Sequence, residues 1–298
     1  MNSWQRWVQA PQTNKFRRVL FQVHLWLGIG FGLYILMISV TGSAVVLRPQ
    51  FSQWFVRAQV ASTAGEALAG VDLDQAVAAA YSEFTVTSIQ PPRREGRATY
   101  VVLEKNGEEH TRYFDHYAGT DLGSTYPWQV RTVEWLTRLH DDLLLERSTG
   151  RLVNGIGGIL FLVMTLTGLV IWWQGRRRWR DGLLLRRASA HSFMFQLHSF
   201  IGFWTLLLML VWALTAIYFA FPAPFDYLID AMDNDLEDFE RPDGWLRFLL
   251  NVHFGRFRGY WPGLSYIWIV LGLMPAVMFI SGFVLWYRRV VRRWLRQE

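Results

Sequence analysis

The chain has no cysteine in 298 residues. That excludes disulfides, thiolate catalysis and cysteine-held iron–sulfur clusters, and it leaves the redox compartment open. Neither a His-Glu-x-x-His run nor a Ser-His-Asp arrangement is present. Gly28-x-Gly30-x-Gly32 echoes a phosphate-binding loop, but it sits in an apolar run with no strand before it, so that reading is rejected. The acidic run Asp230–Glu240 lacks the glycine of an EF-hand loop and reads as solvated. No cleavable signal peptide is evident, because the first apolar run is too long for a signal core.

The most informative absence is of charge inside long apolar stretches. A spanning helix needs roughly 20 mostly apolar residues. Four stretches qualify, Val19–Leu47, Leu152–Gln174, Phe193–Phe221 and Leu264–Tyr287, and none contains Asp, Glu, Lys or Arg. The composition agrees: 52% of residues are hydrophobic, and the sixteen tryptophans suit a headgroup level where the ring is buried and the N–H stays wet.

Short-loop Lys and Arg set the orientation. Arg6, Lys15, Arg17 and Arg18 precede the first stretch, arginines crowd 176–187 between the second and third, and more follow the fourth. The loop after the third stretch holds Asp226, Asp230, Asp233, Asp235, Glu237, Asp238 and Glu240. The three basic segments are expected inside and the acidic loop outside. The net charge of +6 is thus a topology signal, and no nucleic-acid partner is expected.

The expected organisation is a cytoplasmic arm (1–18), spans at 19–47, 151–174, 193–221 and 264–287, and a soluble domain at 48–126. An interfacial amphipathic helix (127–150), a basic inner loop (175–192), an outer loop (222–263) and a tail (288–298) complete it. Within the soluble domain, Leu73–Tyr81 reads as a helix, and Phe84–Ile89, Ala98–Glu104 and Glu109–Phe114 read as strands, with Asn106-Gly107 as a hairpin turn. The fold class is therefore a membrane all-α four-helix bundle with an inserted small α+β domain.

The bundle repeats. Phe21-Gln22-Val23-His24 with Gly28 opens the first span, and Phe195-Gln196-Leu197-His198 with Gly202 opens the third. His140 precedes the second span and His253 the fourth. The even spans end alike, Thr167-Gly168 with Trp172-Trp173 and Ser281-Gly282 with Trp286-Tyr287. A helix pair used twice puts His24 and His198 at one depth near the inner face and His140 and His253 near the outer face. Repeated bundles place sites at the repeat interface.

Ionisable groups in spans are costly and mark function. Two neutral imidazoles are what a low-spin haem iron takes axially, and bundles hold such cofactors between facing helices. Gly28 and Gly202 then allow close approach of a porphyrin face. Against this stands hydrogen-bonded packing by the same histidines, with glycines at helix contacts. His191 is a fallback inner ligand or propionate partner. His110 and His116 read as ordinary surface histidines of the soluble domain.

Arg17-Arg18-Val19-Leu20-Phe21-Gln22-Val23-His24-Leu25-Trp26-Leu27-Gly28, the Leu139-His140-x-x-Leu143-Leu144-Leu145 run and Thr167-Gly168-x-x-x-Trp172-Trp173 resemble the PepSY-associated transmembrane family over nearly the whole chain. The inserted unit is similar to a PepSY domain. Members include iron-regulated bacterial inner-membrane proteins, some of them di-haem reductases that release iron from ferric siderophores. The resemblance implies a multi-pass protein with both termini cytoplasmic and the soluble domain periplasmic. It also implies that His24, His198, His140 and His253 ligate two haems b. The partners would be the lipid bilayer, a cytoplasmic or quinone electron donor and a periplasmic ferric chelate as acceptor. Two other readings stay open: a non-enzymatic membrane-anchored binding, regulatory or transport-accessory module, and a small transporter with the histidines as proton relays.

Overall fold

The computed structural model describes residues 14–56, 58–63, 65–173, 183–185, 190–225, 227, 243–255 and 263–295. The contacts divide the chain into a helical unit, Met1–Val46 with Leu136–Glu298, and an inserted unit, Leu47–Trp135.

In the helical unit, α1 (Lys15–Gly30) starts on Asn14, whose side chain accepts the Phe16 N–H at 2.9 Å. It gives way to α2 (Gly32–Val45) at Phe31, with a bend of 61°. Gly28, Gly30 and Gly32 weaken helix propensity around that break. The inserted unit contributes α3 (Arg48–Phe55), α4 (Gly70–Ala80) and strands β1 (Thr85–Gln90), β2 (Thr99–Lys105), β3 (Glu108–Asp115) and β4 (Thr120–Ser124). The amphipathic α5 (Trp128–Asp142) leads back, and α6 (Arg147–Trp172) is an unbroken apolar helix long enough to cross a bilayer.

The second half repeats the first. Helix α7 (Ala190–Trp204) breaks at Thr205 into α8 (Leu206–Ala220), bent by 63° between residues 193 and 220. The Thr205 hydroxyl donates to the Ile201 carbonyl at 2.7 Å, a back-bond that bends helices. Both breaks fall seven residues beyond the equivalent histidine, at Phe31 and Thr205. Then come α9 (Asp243–Phe254), α10 (Leu264–Gly272), α11 (Met274–Arg289) and the short α12 (Val291–Trp294). Pro275 stands at the start of α11, where its missing N–H costs nothing. The Ser39 hydroxyl bridges that junction, donating to the Gly272 carbonyl at 2.5 Å and accepting the Ala276 N–H at 3.2 Å.

The expected first and third spans are therefore each a bent pair of helices. The bends have a packing consequence. Helix α1 packs on α6 and α7 on α11, each within its own repeat, whereas α2 packs on α10 and α11 and α8 packs on α6, each against the other repeat. Small residues permit the close approaches: Gly158 meets Ala213, Ala216 and Ile217, and Gly32 faces the Phe279 ring. Leu33, Leu207 and Val270 are more than half exposed, as lipid-facing residues are.

The inserted unit is a four-stranded antiparallel meander, β1-β2-β3-β4, with α4 on one face. The sequence predicts three strands. The fourth, Thr120–Ser124, pairs with β3 and escapes a pattern reading because it is short and holds Asp121 and Gly123. Helix α3 is also additional. Leu73 and Val77 of α4, and Tyr81 just past its end, bury themselves against Val101 and Leu103 of β2 and Phe114 of β3. Thr99, Val101 and Leu103 are buried in strict alternation, the period of a strand with one covered face. Asn106 and Gly107 take positive φ (56° and 79°) in the β2–β3 hairpin, as a two-residue turn requires.

Candidate functional site

The four histidines His24, His198, His140 and His253 share one local arrangement. His24 Nδ1 lies 3.0 Å from the Met164 carbonyl oxygen and 3.2 Å from Thr167 Oγ1. His198 Nδ1 lies 3.0 Å from both the Met278 carbonyl oxygen and Ser281 Oγ. His140 Nδ1 lies 3.1 Å from the Ile38 carbonyl oxygen and 3.3 Å from Thr41 Oγ1. His253 Nδ1 lies 2.6 Å from Thr215 Oγ1. Each imidazole thus docks on a neighbouring helix at a Thr or Ser, and three of them also meet the carbonyl three residues earlier.

This chemistry fixes the tautomer. A carbonyl oxygen can only accept, so Nδ1 carries the proton in His24, His198 and His140. In His253 the same follows from the hydroxyl, because Thr215 Oγ1 already donates to the Val211 and Trp212 carbonyls at 2.8 and 3.1 Å. All four rings therefore keep an unprotonated Nε2, and among the described residues no hydrogen bond involves it. A backbone or hydroxyl acceptor on one ring nitrogen, with the other bare, is how proteins present a ligating imidazole.

Glycines let the rings in. A Cβ on Gly168 or Gly282 would stand 3.2 Å from Cε1 of His24 or His198, and one on Gly42 would stand 2.6 Å from Cε1 of His140. Thr167-Gly168 and Ser281-Gly282 are visible in the sequence as matching span ends. Thr41-Gly42 and Thr215-Ala216 belong to the same pattern, and there the signal is only a Thr followed by a small residue inside an apolar run.

Two pairs result. The ring centroids of His24 and His198 are 6.3 Å apart, with planes 87° apart. Both rings line a cavity of about 750 Å³ walled by Phe21, Leu25, Ile29, Phe161, Met209 and Phe279. That volume is in the range of cofactor and drug-sized ligand sites. Gly28 and Gly202 also line it. A Cβ on Gly28 would meet nothing within 4 Å, whereas one on Gly202 would touch the end of Met278. Trp172 and Trp286, equivalent in the repeat, line the same cavity, and their indole N–H groups are buried without an acceptor among the described residues. Arg288, Arg289 and Arg292 also border it.

The second pair is His140 and His253. Burial lowers the affinity of His253 for a proton, and a charged His140 lowers it further. Burial likewise lowers His140, against the opposing effects of Asp141 and the Ile38 carbonyl. The corner that turns His140 inward is strained: Leu143 and Leu144 both have positive φ, at 56° and 60°. Asn154 secures it by donating to the His140 and Asp141 carbonyls, both at 2.8 Å, and by accepting the Tyr34 hydroxyl at 2.8 Å.

The side chain of His191, the fallback ligand, lies outside the described residues, as does the acidic run Asp230–Glu240. His110 is exposed beside Phe84. His116, expected at the surface, is buried, with Nδ1 3.1 Å from Thr99 Oγ1. No group of three or more metal-ligating side chains occurs among the described residues.

Several long apolar helices and a small antiparallel sheet inserted after the first bent pair define a class: a helical membrane protein with an inserted sheet unit. The model of the PepSY-associated TM region matches residues 21–242 and 230–289, and the chain belongs to that family. No curated protein matches it.

Proposed function

We propose that the protein is a di-haem transmembrane electron-transfer protein of the bacterial inner membrane, reducing ferric chelates such as siderophores in the periplasm. The observation that carries this reading is the spacing and tautomer of His24 and His198. Two imidazoles on opposite sides of one metal ion stand about 6 Å apart, two bonds of about 2 Å plus the inner radii of the rings. The observed 6.3 Å fits, and both Nε2 atoms are bare. The cavity beside them is apolar, of cofactor size and open above Gly28.

Haem bound at such pairs supplies reversible one-electron chemistry. The protein's part is to hold the ligands. His24 and His198 would hold the inner group, His140 and His253 the outer one. Trp172 and Trp286 offer N–H donors, and Arg288, Arg289 and Arg292 positive charge, to acidic substituents of the inner group. A cytoplasmic or quinone donor would serve the inner site and the ferric chelate the outer. Carbonyl-locked imidazoles support ligation over proton relay, since a relay needs Nδ1 to release its proton.

The test is the visible spectrum of the purified protein, expressed with ample haem. Low-spin b-type bands and about two haems per chain are expected. His24→Ala or His198→Ala is expected to remove roughly half the haem and leave the outer signal, and His140→Ala or His253→Ala the reverse. A colourless wild-type protein overturns the proposal.

A further inference from the structure

The four docking hydroxyls are not equivalent. Thr41, Thr167 and Ser281 each share their histidine with a backbone carbonyl, that of Ile38, Met164 or Met278. His253 has Thr215 alone among the described residues. The fourth site also has Ala216 where the other three have Gly42, Gly168 and Gly282. A Cβ at each of those glycines would press on the ring carbon Cε1 of the docked histidine. Among the described residues no backbone carbonyl meets the His253 ring, so the hydroxyl is its polar anchor. The helix carrying His253 is held from the same side, because the Trp212 indole donates to the His253 carbonyl at 3.2 Å. Backbone position is therefore set independently of the hydroxyl, and Thr215 is left to govern the ring.

We infer that Thr215 is the positioning residue of the outer site: its hydroxyl, the polar partner of the ring among the described residues, orients His253 where Phe219 packs edge-on against it, fixes its tautomer and sets its strength as a ligand. This rests on the haem reading above. An acceptor on Nδ1–H makes the imidazole a stronger donor to iron and favours the ferric state. Removing that acceptor raises the reduction potential of the outer haem. At the other three sites the carbonyl remains after the hydroxyl is lost, so the change there is smaller.

The experiment is a spectroelectrochemical titration of the full-length holoprotein in detergent, wild type against Thr215→Val, Thr215→Ser, Thr41→Val, Thr167→Val and Ser281→Ala. Thr215→Val is expected to shift the outer haem upward more than any other variant shifts its own haem, or to release that haem, with the inner haem unmoved. Thr215→Ser is expected to restore the wild-type potential, which a loss of packing at the threonine methyl would not allow. The inner haem reports whether each variant is folded. The inference is overturned if Thr215→Val leaves the outer potential and haem content unchanged, moves it no more than Thr41→Val does, or is not rescued by Thr215→Ser. A wild type without haem overturns the underlying reading instead.

Discussion

At the scale of the residue, the site depends on what is missing beside each imidazole. Gly42→Ala would place a methyl 2.6 Å from Cε1 and 3.1 Å from Nδ1 of His140, too close for the ring to stay. The expected outcome is loss of the outer haem band with the inner band kept. Gly168→Ala, at 3.2 Å from His24, is expected only to perturb the inner band. Gly28 is the opposite case. Nothing lies within 4 Å of its Cβ direction, so Gly28→Leu is expected to fold and to compete with the inner cofactor, lowering haem content toward one per chain. Haem stoichiometry by pyridine haemochrome on monodisperse protein checks all three. The histidines themselves were legible in the sequence, because a repeat pairs them by depth. Their acceptors were only half legible. Thr167 and Ser281 stand in a visible repeat, but the Met164 and Met278 carbonyls belong to the backbone, and any residue type supplies one. The burial of His116 was illegible for a related reason: it depends on strand pairing that brings Thr99 to it.

At the scale of the element, lengths and polarity were legible and junctions were not. The apolar run Val19–Leu47 has no mark for a 61° bend other than its glycines, and Phe193–Phe221 has only Gly202 and Thr205 near its break. The turn between α5 and α6 is equally silent, since leucines rarely take positive φ. That turn ends on Glu146, which caps α6 by accepting the backbone N–H groups of Ser148 and Thr149, each at 3.1 Å. A glutamate is an unusual choice there, and its charge also suits the positive helix start. The Ser148 side-chain and backbone donors, then the Thr149 N–H, pull its carboxyl from 4.5 down to about 2. A carboxyl depressed in the folded state adds stability above its unfolded pKa, and that share is lost as pH falls from about 4.5 toward 2. The thermal midpoint of the solubilised protein, scanned at one rate, is expected to drop across that window. Glu146→Gln is expected to lie below wild type at pH 6 and to show a smaller drop. An equal drop in both proteins would assign the acid sensitivity to other carboxylates.

At the scale of the whole molecule, the sequence predicts four crossings, and the geometry turns this into a choice. Helices Arg147–Trp172 and Leu264–Arg289 are each long and apolar enough to cross alone, whereas the two bent pairs cross only if each acts as one span. If both pairs cross, the inserted unit and the C-terminal segment lie on opposite sides of the membrane. If both pairs are re-entrant, the chain crosses twice, and those two regions share a side. The arginine-rich termini and inner loop favour the first arrangement, because they then all face the cytoplasm. So does the packing, since α2 and α8 each bury a face on the opposite repeat's full-length helix and reach the level where His140 and His253 dock. The absence of cysteine makes the question directly answerable. Single cysteines at the exposed positions Glu108→Cys, in the β2–β3 hairpin, and Leu295→Cys, after α12, introduce no competing thiol. In intact spheroplasts an impermeant maleimide is expected to label the first and spare the second until the membrane is lysed. Labelling of both, or of neither, before lysis would mean that the second bent pair does not cross, because it is the one optional crossing between the two positions. It would also break the assignment of an inner and an outer haem, because the depth of each histidine pair follows from the direction in which its helices run.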